Sequence, residues 1–457
     1  MEKLALAKIA ESCGAQVHGK VDGVMAGGVS TDSRKVSAGD LFVAIAGEKF
    51  DGHRFLDEVA AKGVVAVVAE QGKVPAGWNS CPVLLVPNSR VAYGQIAAGY
   101  RKEFKIPVVA VAGSNGKTTT KELITSVLKQ QLVTLKSEAS FNNDIGVPAT
   151  LLNLSAKHEA AVLEVGTNHP GELAPLVNLI KPKYGVITSI GREHLEFFGD
   201  LVGVAQEEGY LAELLPTEGR LFVNLDSPWM EQILRRAKCP VVTVSQRGRG
   251  DWSGKLVQSG LLGIELEVTA PKPEFNGVYQ LPLLGRHQIT NALLALAVGA
   301  ELGIGAAEMK RGLAECPVPK MRLQISERKG VTVLDDSYNA NADSMLAALQ
   351  TLVDLPCSGR RMVVIGDMAE LGASAAAAHA EVGRHAADLK IDALLAVGRM
   401  GQVTASAAKV GGIQMVKECQ DTSVASSELR HWLRPGDMLL LKASRSSQVE
   451  RVLEGLD

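Results

Sequence analysis

The sequence predicts an α/β protein of three domains, and three features carry that prediction. The chain of 457 residues is long enough for about three domains at roughly 150 residues each. Short runs rich in Val, Ile and Leu recur along it, each ending in a polar loop and followed by a helical pattern, as in parallel sheets flanked by helices. Between Pro107 and Thr120 the pattern sharpens into a buried strand, a glycine turn, a lysine and a helix. Domain boundaries fall at the charged stretch Tyr100–Lys105 and at the paired prolines of Pro317–Lys320, where helix is disfavoured. The expected domains are therefore 1–105, 106–316 and 317–457.

Composition narrows the class. Hydrophobic residues at 46% and charged residues at 21% are ordinary for a soluble globular chain. Aromatics are only 4%, so the cores must be built from Val, Leu, Ile and Ala. A formal net charge of −2 supplies no global attraction to nucleic acid or to an anionic membrane. No apolar run reaches the roughly 18 residues of a membrane span, and Met1–Ala5 lacks a signal-peptide core. The cysteines at 13, 81, 239, 316, 357 and 419 show no C-x-x-C pairing and read as thiols. A cytoplasmic protein without nucleic-acid partner or membrane insertion is expected.

Taken in order, the first hundred residues read as a small α/β unit. Leu4–Cys13 suggests a helix, Asp40–Ile45 and Val64–Val68 suggest strands, and Phe55–Lys62 suggests a second helix. Ser30, Thr31, Asp32, Ser33 and Arg34 pack hydroxyls, a carboxylate and a guanidinium together, which suits a sugar, uracil or phosphate and equally suits a capped surface turn. A polar loop follows over Gly47–His53.

The run Val108–Ala112 reads as a buried strand that breaks into Gly113, Ser114, Asn115 and Gly116, with Lys117, Thr118 and Thr119 opening a helix. Bare backbone N–H groups at a helix N-terminus hold an anion, Lys117 adds a point charge, and Thr118 can ligate Mg²⁺. Val111 stands where the longer Walker pattern has its first glycine, so the form here is the shorter G-x-x-G-K-T. The stretch implies a bound nucleoside triphosphate. Asn142 and Asn143 then sit in a stiff polar loop that could be a simple turn.

Glu164 ends the next buried strand, where open α/β sheets place ligand contacts, and reads as the Mg²⁺ partner of Thr118. The alternative is a paired structural glutamate. His194 follows a third strand, Tyr184–Ile190, and is either structural or a ligand of a second metal. Residues 239–284 suggest a β-rich extension. Arg286–Asn291 open an apolar helix and form its polar first turn or line the nucleotide. Beyond the second linker, strands ending at Asp335-Asp336, Ile365-Gly366-Asp367 and Leu441-Lys442 imply a doubly wound sheet.

Lined up, these stretches resemble the Mur ligase superfamily over nearly the whole length. The resemblance runs through Thr31–Arg34, Phe50–Phe55, Gly113–Thr119, Asn142–Pro148, Glu164–Gly166, Asn168-His169, Gly285–His287 and Asn291-Ala292. Asp336–Asn341 and Gly366–Gly372 are characteristic of the branch that adds D-alanyl-D-alanine to UDP-N-acetylmuramoyl-tripeptide. The resemblance implies a small UDP-binding α/β domain, a central P-loop mononucleotide-binding domain with a parallel sheet, and a Rossmann-like C-terminal domain. It implies an enzyme using ATP and Mg²⁺, acting as a monomer, with an acyl phosphate as intermediate and domain closure during turnover.

By the same resemblance, Gly113–Thr119 and Lys117 hold the phosphates, Thr118 and Glu164 the first metal, and His194 a second. Asn291 is the adenine contact, and Arg322 and Asp336 reach the nucleotide. Asn142 and Asn143 belong to the catalytic loop. Ser30–Arg34, Gly47, Phe50, Asp51 and His53 would hold the UDP substrate, with Asn168, His169, Asn339, Asn341 and Arg445 toward the peptide ends. Many relatives carry a carbamylated lysine after the histidine motif. Here Glu208 occupies that position and is expected to supply the carboxylate directly, unless it is an exposed helix residue beside Glu207. The rival readings are a sister ligase adding an amino acid or glutamate, a P-loop ATPase or kinase, and a nucleotide-binding regulator.

Overall fold

A computed structural model of the chain describes residues 1–47 and 50–455. Within the polar loop predicted over Gly47–His53, Glu48 and Lys49 lie outside the described residues. The chain divides into two compact units: Met1–Ala110 with Leu132–Thr167 and Leu173–Tyr184, and Val111–Gln131 with Asn168–Glu172 and the residues from Gly185 on.

The first unit contains a five-stranded sheet in the order Gln16–His18, Val83–Val86, Ala66–Glu70, Leu41–Val43, Val29–Ser30. All its neighbours are parallel except the first pair. Its two-sided burial explains the continuous apolar runs, and Phe42, Leu56, Val59 and Val67 form its core. Each such fully buried side chain contributes roughly 1.5–3 kcal/mol. The predicted first helix begins two residues later than expected, at Leu6, because Leu4–Ala5 pairs antiparallel with Met25–Ala26. The strand expected at Val64–Val68 runs over Ala66–Glu70. In the same unit Ala160–Glu164 lies parallel to Thr134–Lys136.

In the second unit, one sheet runs from the edge strand Gly277–Leu281 through Gly263–Thr269, Trp252–Gly260, Val241–Ser245 and Arg220–Asn224 to residues 185–187. Within the β-rich extension predicted over 239–284, Trp252–Gly260, Gly263–Thr269 and Gly277–Leu281 form its antiparallel edge, while Val241–Ser245 pairs parallel with Arg220–Asn224. The helix Gln288–Glu301, buried along almost its whole length, packs against Lys117–Leu128. Gly299 permits that approach, since a Cβ there would come within 2.7 Å of Val127, and Gly312 does the same for the helix Ala306–Ala314, where a Cβ would come within 2.6 Å of Val127.

The second sheet of this unit has the order Gln324–Arg328, Val331–Asp335, Met438–Lys442, Arg361–Ile365, Ala393–Val397, Met415–Cys419. It is parallel apart from the first strand. One face packs on Ala342–Asp354 and Ala375–Asp388 around Leu349, Val363 and Leu440, and the other on Thr422–Trp432 around Val364, Leu395 and Leu439. This is the doubly wound arrangement the alternation predicted, and it aims the loops after Asp335, Ile365 and Lys442 out of one sheet edge. The cysteines at 13, 81, 239, 357 and 419 are free thiols.

Candidate active site

The strand Val108–Ala112 is wholly buried, and the chain turns out of it at Gly113 with φ +113. A Cβ there would lie 2.4 Å from Thr188 Oγ1 and 2.9 Å from Ser189 O, so only glycine fits. Gly116, at φ +88, is the residue before the helix Lys117–Leu128, and its missing Cβ leaves room for Asn291 Oδ1 at 2.6 Å. The turn is pinned by Ser114 N–H donating to Ser189 O at 2.7 Å and Asn115 N–H donating to Ser189 Oγ at 3.1 Å. Lys117 Nζ donates to Gly113 O at 2.5 Å and lies 3.4 Å from Glu193 Oε2. Thr118 is half-buried and Thr119 buried beside it.

Glu208 reaches this turn from a distant helix. The helix Leu201–Glu208 starts where the Asp200 side chain accepts from the N–H groups of Val202 and Gly203. At its last turn Glu207 and Glu208 are both buried, and Glu208 is 0% exposed. Its Oε2 accepts the Gly113 N–H at 2.8 Å, while Oε1 makes no hydrogen bond among the described residues. Burial pushes its carboxyl up to about 8, with the Lys117 charge opposing that rise and Glu193 adding to it. A buried carboxyl at a helix C-terminus, where the dipole is negative, is costly to ionise unless a cation stands beside it. The exposed-helix alternative for Glu208 fails on its burial.

His194 stands at φ +48, at the head of the short helix Leu195–Phe198. Its Nδ1 is hydrogen-bonded to Glu370, and its Nε2 lies 4.0 Å from Glu193 Oε2. Among the described residues no group of three or more His, Cys, Asp and Glu forms a metal cage. Mg²⁺ does not need one, since it is usually held by one or two carboxylates together with substrate phosphates and waters. A threonine hydroxyl, carboxylates and a histidine, with one buried carboxyl oxygen unbonded, fit such an ion beside a nucleotide.

The C-terminal sheet's loops enter the same region. Arg322 donates to Thr118 Oγ1 at 3.5 Å, and its guanidinium lies 4.4 Å over the Tyr338 ring. Asp336 accepts from Lys442 Nζ at 2.5 Å and from the Leu323 N–H at 3.2 Å. Asn341 Nδ2 donates to Asn115 Oδ1 at 2.9 Å while its own carbonyl amide oxygen caps the helix Ala342–Asp354. Asn291 is buried, accepting from Thr120 Oγ1 and donating to Gln288 Oε1. Asn339 is exposed, with its backbone carbonyl on Lys442 Nζ at 3.1 Å, and Arg445 is exposed and paired with Glu450 at 2.7 Å.

Three family matches tile the chain. The Mur ligase family catalytic domain matches residues 26–113, the Mur ligase middle domain 111–299, and the Mur ligase glutamate ligase domain 321–445. The UDP-N-acetylmuramoyl-tripeptide–D-alanyl-D-alanine ligase of Escherichia coli strain K12 is 36% identical over 94% of this chain and 93% of its own length. The chain belongs to the Mur ligase family. The Bacillus subtilis strain 168 ligase of the same name is 33% identical over 94% of this Mur ligase and 93% of its own length. A crystal structure of MurF from Acinetobacter baumannii superposes with a TM-score of 0.92 at 30% identity, covering 100% of this chain and 99% of that one. The MurF ligase of Thermotoga maritima in complex with ADP gives 0.83 at 26% identity, covering 94% and 96%.

The first unit of this Mur ligase carries most of the remaining sequence-predicted residues. Ser30 ends the strand Val29–Ser30, and Thr31 and Ser33 sit in the turn after it. Arg34 forks onto Asp32 through Nε and Nη2, both at 2.8 Å, and that contact holds the Asp32 carboxyl down at about 2. Gly47 and Phe50 are exposed, Phe50 at 78%. Asp51 accepts the His53 N–H at 3.0 Å, and buried His53 receives the Glu70 N–H on Nε2 at 2.9 Å. Asn142 Nδ2 donates to Glu164 Oε1 at 2.9 Å, and Asn143 Oδ1 accepts the Gly146 N–H at 2.9 Å. Asn168 and His169, in the second unit, are exposed, and the His169 ring lies 4.1 Å from that of Phe197.

Sequence reasoning passed over Glu193, Glu370, Arg192 and Lys442. Lys442 carried a signal: a lysine closing the apolar run Met438–Leu441 must find a partner inside the sheet. Glu370 and Arg192 carried none, because their partners are distant in the chain.

Proposed function

We propose that this protein joins D-alanyl-D-alanine to UDP-N-acetylmuramoyl-tripeptide, spending ATP to ADP and phosphate, in peptidoglycan precursor synthesis. The observation that carries the ligase chemistry is the meeting at Gly113–Thr118 of Lys117, the Glu208 carboxyl and Arg322, contributed by three separate parts of the chain. The choice of acceptor is supported by the full-length relatives named for that reaction and by the stretches Asp336–Asn341 and Gly366–Gly372.

The chemistry asks for positioning rather than covalent help from the protein. An unactivated carboxylate is a poor electrophile, so the γ-phosphoryl group moves to the tripeptide's terminal carboxylate and ADP departs. The dipeptide amine then attacks the acyl carbon, and phosphate leaves from the tetrahedral adduct. Negative charge gathers on the transferring phosphoryl group, and fixed donors aimed at it lower the barrier. In this reading Lys117, Arg322 and the N–H groups of Gly113–Thr119 supply those donors. Mg²⁺, when bound, neutralises phosphoryl charge, and Thr118, Glu164, His194 and Glu208 are the residues assigned to hold it. Asn291 and Asp336 take the nucleoside, and Asn142 and Asn143 order the loop around Glu164.

Ser30–Arg34, Gly47, Phe50, Asp51 and His53 are assigned to the UDP moiety. Asn168, His169, Asn339, Asn341 and Arg445 are assigned to the peptide ends. The division into 1–105, 106–316 and 317–457 is retained as the functional one, and a cytoplasmic monomer is the expected state. No helix among the described residues is long and apolar enough to cross a membrane.

Phosphate release with ATP and Mg²⁺ tests the reading. The panel pairs UDP-N-acetylmuramoyl-tripeptide, carrying diaminopimelate or lysine, with D-Ala-D-Ala, D-Ala, L-Lys and diaminopimelate, plus a folate–glutamate control. Release with tripeptide and D-Ala-D-Ala alone is expected. Release with a different acceptor moves the enzyme to a sister branch, and release with no acceptor leaves a P-loop ATPase.

A further inference from the structure

The short turn Gly191–His194 is gripped from both sides. On one side Gly191 N–H donates to Ser114 Oγ at 2.8 Å, and its carbonyl accepts from that hydroxyl at 3.3 Å. Glu193 N–H closes the turn onto Gly191 O at 2.9 Å. On the other side Arg192 reaches two helices of the C-terminal sheet. Its backbone N–H and Nε donate to the two carboxylate oxygens of Asp343 at 2.7 and 2.8 Å, and Nη1 and Nη2 donate to Glu381 at 2.5 and 3.4 Å. Asp343 lies in the first turn of Ala342–Asp354 and Glu381 within Ala375–Asp388.

The fit is close. A Cβ on Gly191 would stand 2.7 Å from Asp343 Oδ2 and 3.0 Å from Asn115 Nδ2. Of the residues that follow Arg192, Glu193 lies 3.4 Å from Lys117 Nζ at the phosphate turn, and His194 is held by Glu370 with its Nε2 4.0 Å from Glu193. The Arg192, Asp343 and Glu381 side chains are 28%, 38% and 38% exposed. A single ion pair this open contributes only about 0–1 kcal/mol to stability, and a forked network of two somewhat more. What the forked geometry supplies is direction.

We propose that Arg192 is a positioning residue for the ligation: held by Asp343 and Glu381, it sets the Gly191–His194 turn and thereby the place of Glu193 beside Lys117 and of His194 against Glu370. The proposal rests on the ligase reading above and adds a residue that the reading assigns to neither nucleotide nor peptide.

The test starts with wild-type turnover on tripeptide, D-Ala-D-Ala and ATP. Its absence would overturn the ligase reading and this proposal with it. Arg192→Met is expected to lower kcat by about 10–100-fold, the scale of a small misplacement at a reacting centre. ADP affinity should stay within about threefold and the thermal midpoint within about 4 °C, as for loss of a half-exposed ion pair. Arg192→Lys keeps the charge without the fork and should recover part of kcat. Arg192→Met with Asp343→Asn should cost no more than Arg192→Met alone, because the two act as one unit. With wild type active, an unchanged kcat in Arg192→Met overturns the positioning role. So does a loss that tracks a fallen thermal midpoint, or additive losses in the double variant.

Discussion

Glu208 Oε2 accepts the Gly113 N–H at 2.8 Å across ninety-five residues of sequence, so a helix C-terminus delivers a buried carboxyl to the first glycine of the phosphate turn. Glutamine at this position can still accept the Gly113 bond but cannot offer a negative oxygen to a cation. Glu208→Gln is therefore expected to fold normally and lose turnover by on the order of 10²–10³-fold, with a raised Mg²⁺ requirement. Full turnover at unchanged Mg²⁺ dependence would show that Glu208 does not stand in for a carbamylated lysine.

Gly113 allows no side chain. Gly113→Ala forces a Cβ to within 2.9 Å of Thr188 N and Ser189 O, which are backbone atoms, at a φ of +113. The strain should cost roughly 1–3 kcal/mol and remove ATP binding, because relief requires moving the N–H groups that would hold phosphate. Denaturant unfolding and calorimetric titration with ADP check both parts. Wild-type ADP affinity in this variant would count against the turn as the phosphate site.

Lys442 and Asp336 form a buried pair, with Lys442 2% exposed and Nζ 2.5 Å from Oδ2. Lys442→Met strands the Asp336 carboxylate and is expected to destabilise the protein by roughly 3–5 kcal/mol. Adding Asp336→Asn should return part of that loss, since the stranded charge is gone. Equal stabilities of the single and double variants in urea would contradict the account.

His379 gives a stability that depends on pH. The ring is buried, its Nε2 accepts the Met368 N–H at 3.1 Å, and Nδ1 sits 2.8 Å from Ala375 O. Burial holds its pKa below the ordinary 6.5, against the opposing pull of Ala375 O and Asp367. The unfolded chain therefore takes up its proton first as pH falls. The contribution is fully present above about 6.5 and is lost as pH drops below that value. Thermal midpoints between about pH 7.5 and 5 should fall more steeply for wild type than for His379→Gln. Parallel slopes would assign the acid sensitivity elsewhere.

Much of the site was legible because its chemistry is local. Val108–Thr120 spells strand, turn and helix in consecutive residues, and each step rests on a neighbour: apolar β-branched runs, glycines free of Cβ, a lysine at a helix start. Glu208 was legible only through its alignment with a family position. Its sequence surroundings, Gln206-Glu207-Glu208, look like a solvated helix end, and burial reverses that expectation. The polar residues Gln288, Thr290 and Asn291 form the first turn of the helix Gln288–Glu301, one of the two alternatives expected for them, and burial rather than exposure distinguishes that turn: Asn291 donates to Gln288 and accepts from Thr120, and Thr290 accepts from Gln246. Segment limits slipped where pairing overrode propensity, as at Leu4–Ala5.

The sequence by itself determined the α/β class, the phosphate turn with its lysine and hydroxyl, the doubly wound C-terminal sheet and the family. Period, glycine placement and strand-end polarity are properties of adjacent residues, and adjacent residues constrain one another's dihedral angles directly. Tertiary structure alone decided that Glu208 meets Gly113, that Asn341 meets Asn115, that Glu370 holds His194 and that Arg192 is shared by Asp343 and Glu381. Those contacts join residues separated by 95 to 226 positions, and no local pattern encodes them. They follow from which sheet edges and helix ends the packed cores bring together, and that is set by burial of the whole chain rather than by any stretch of it.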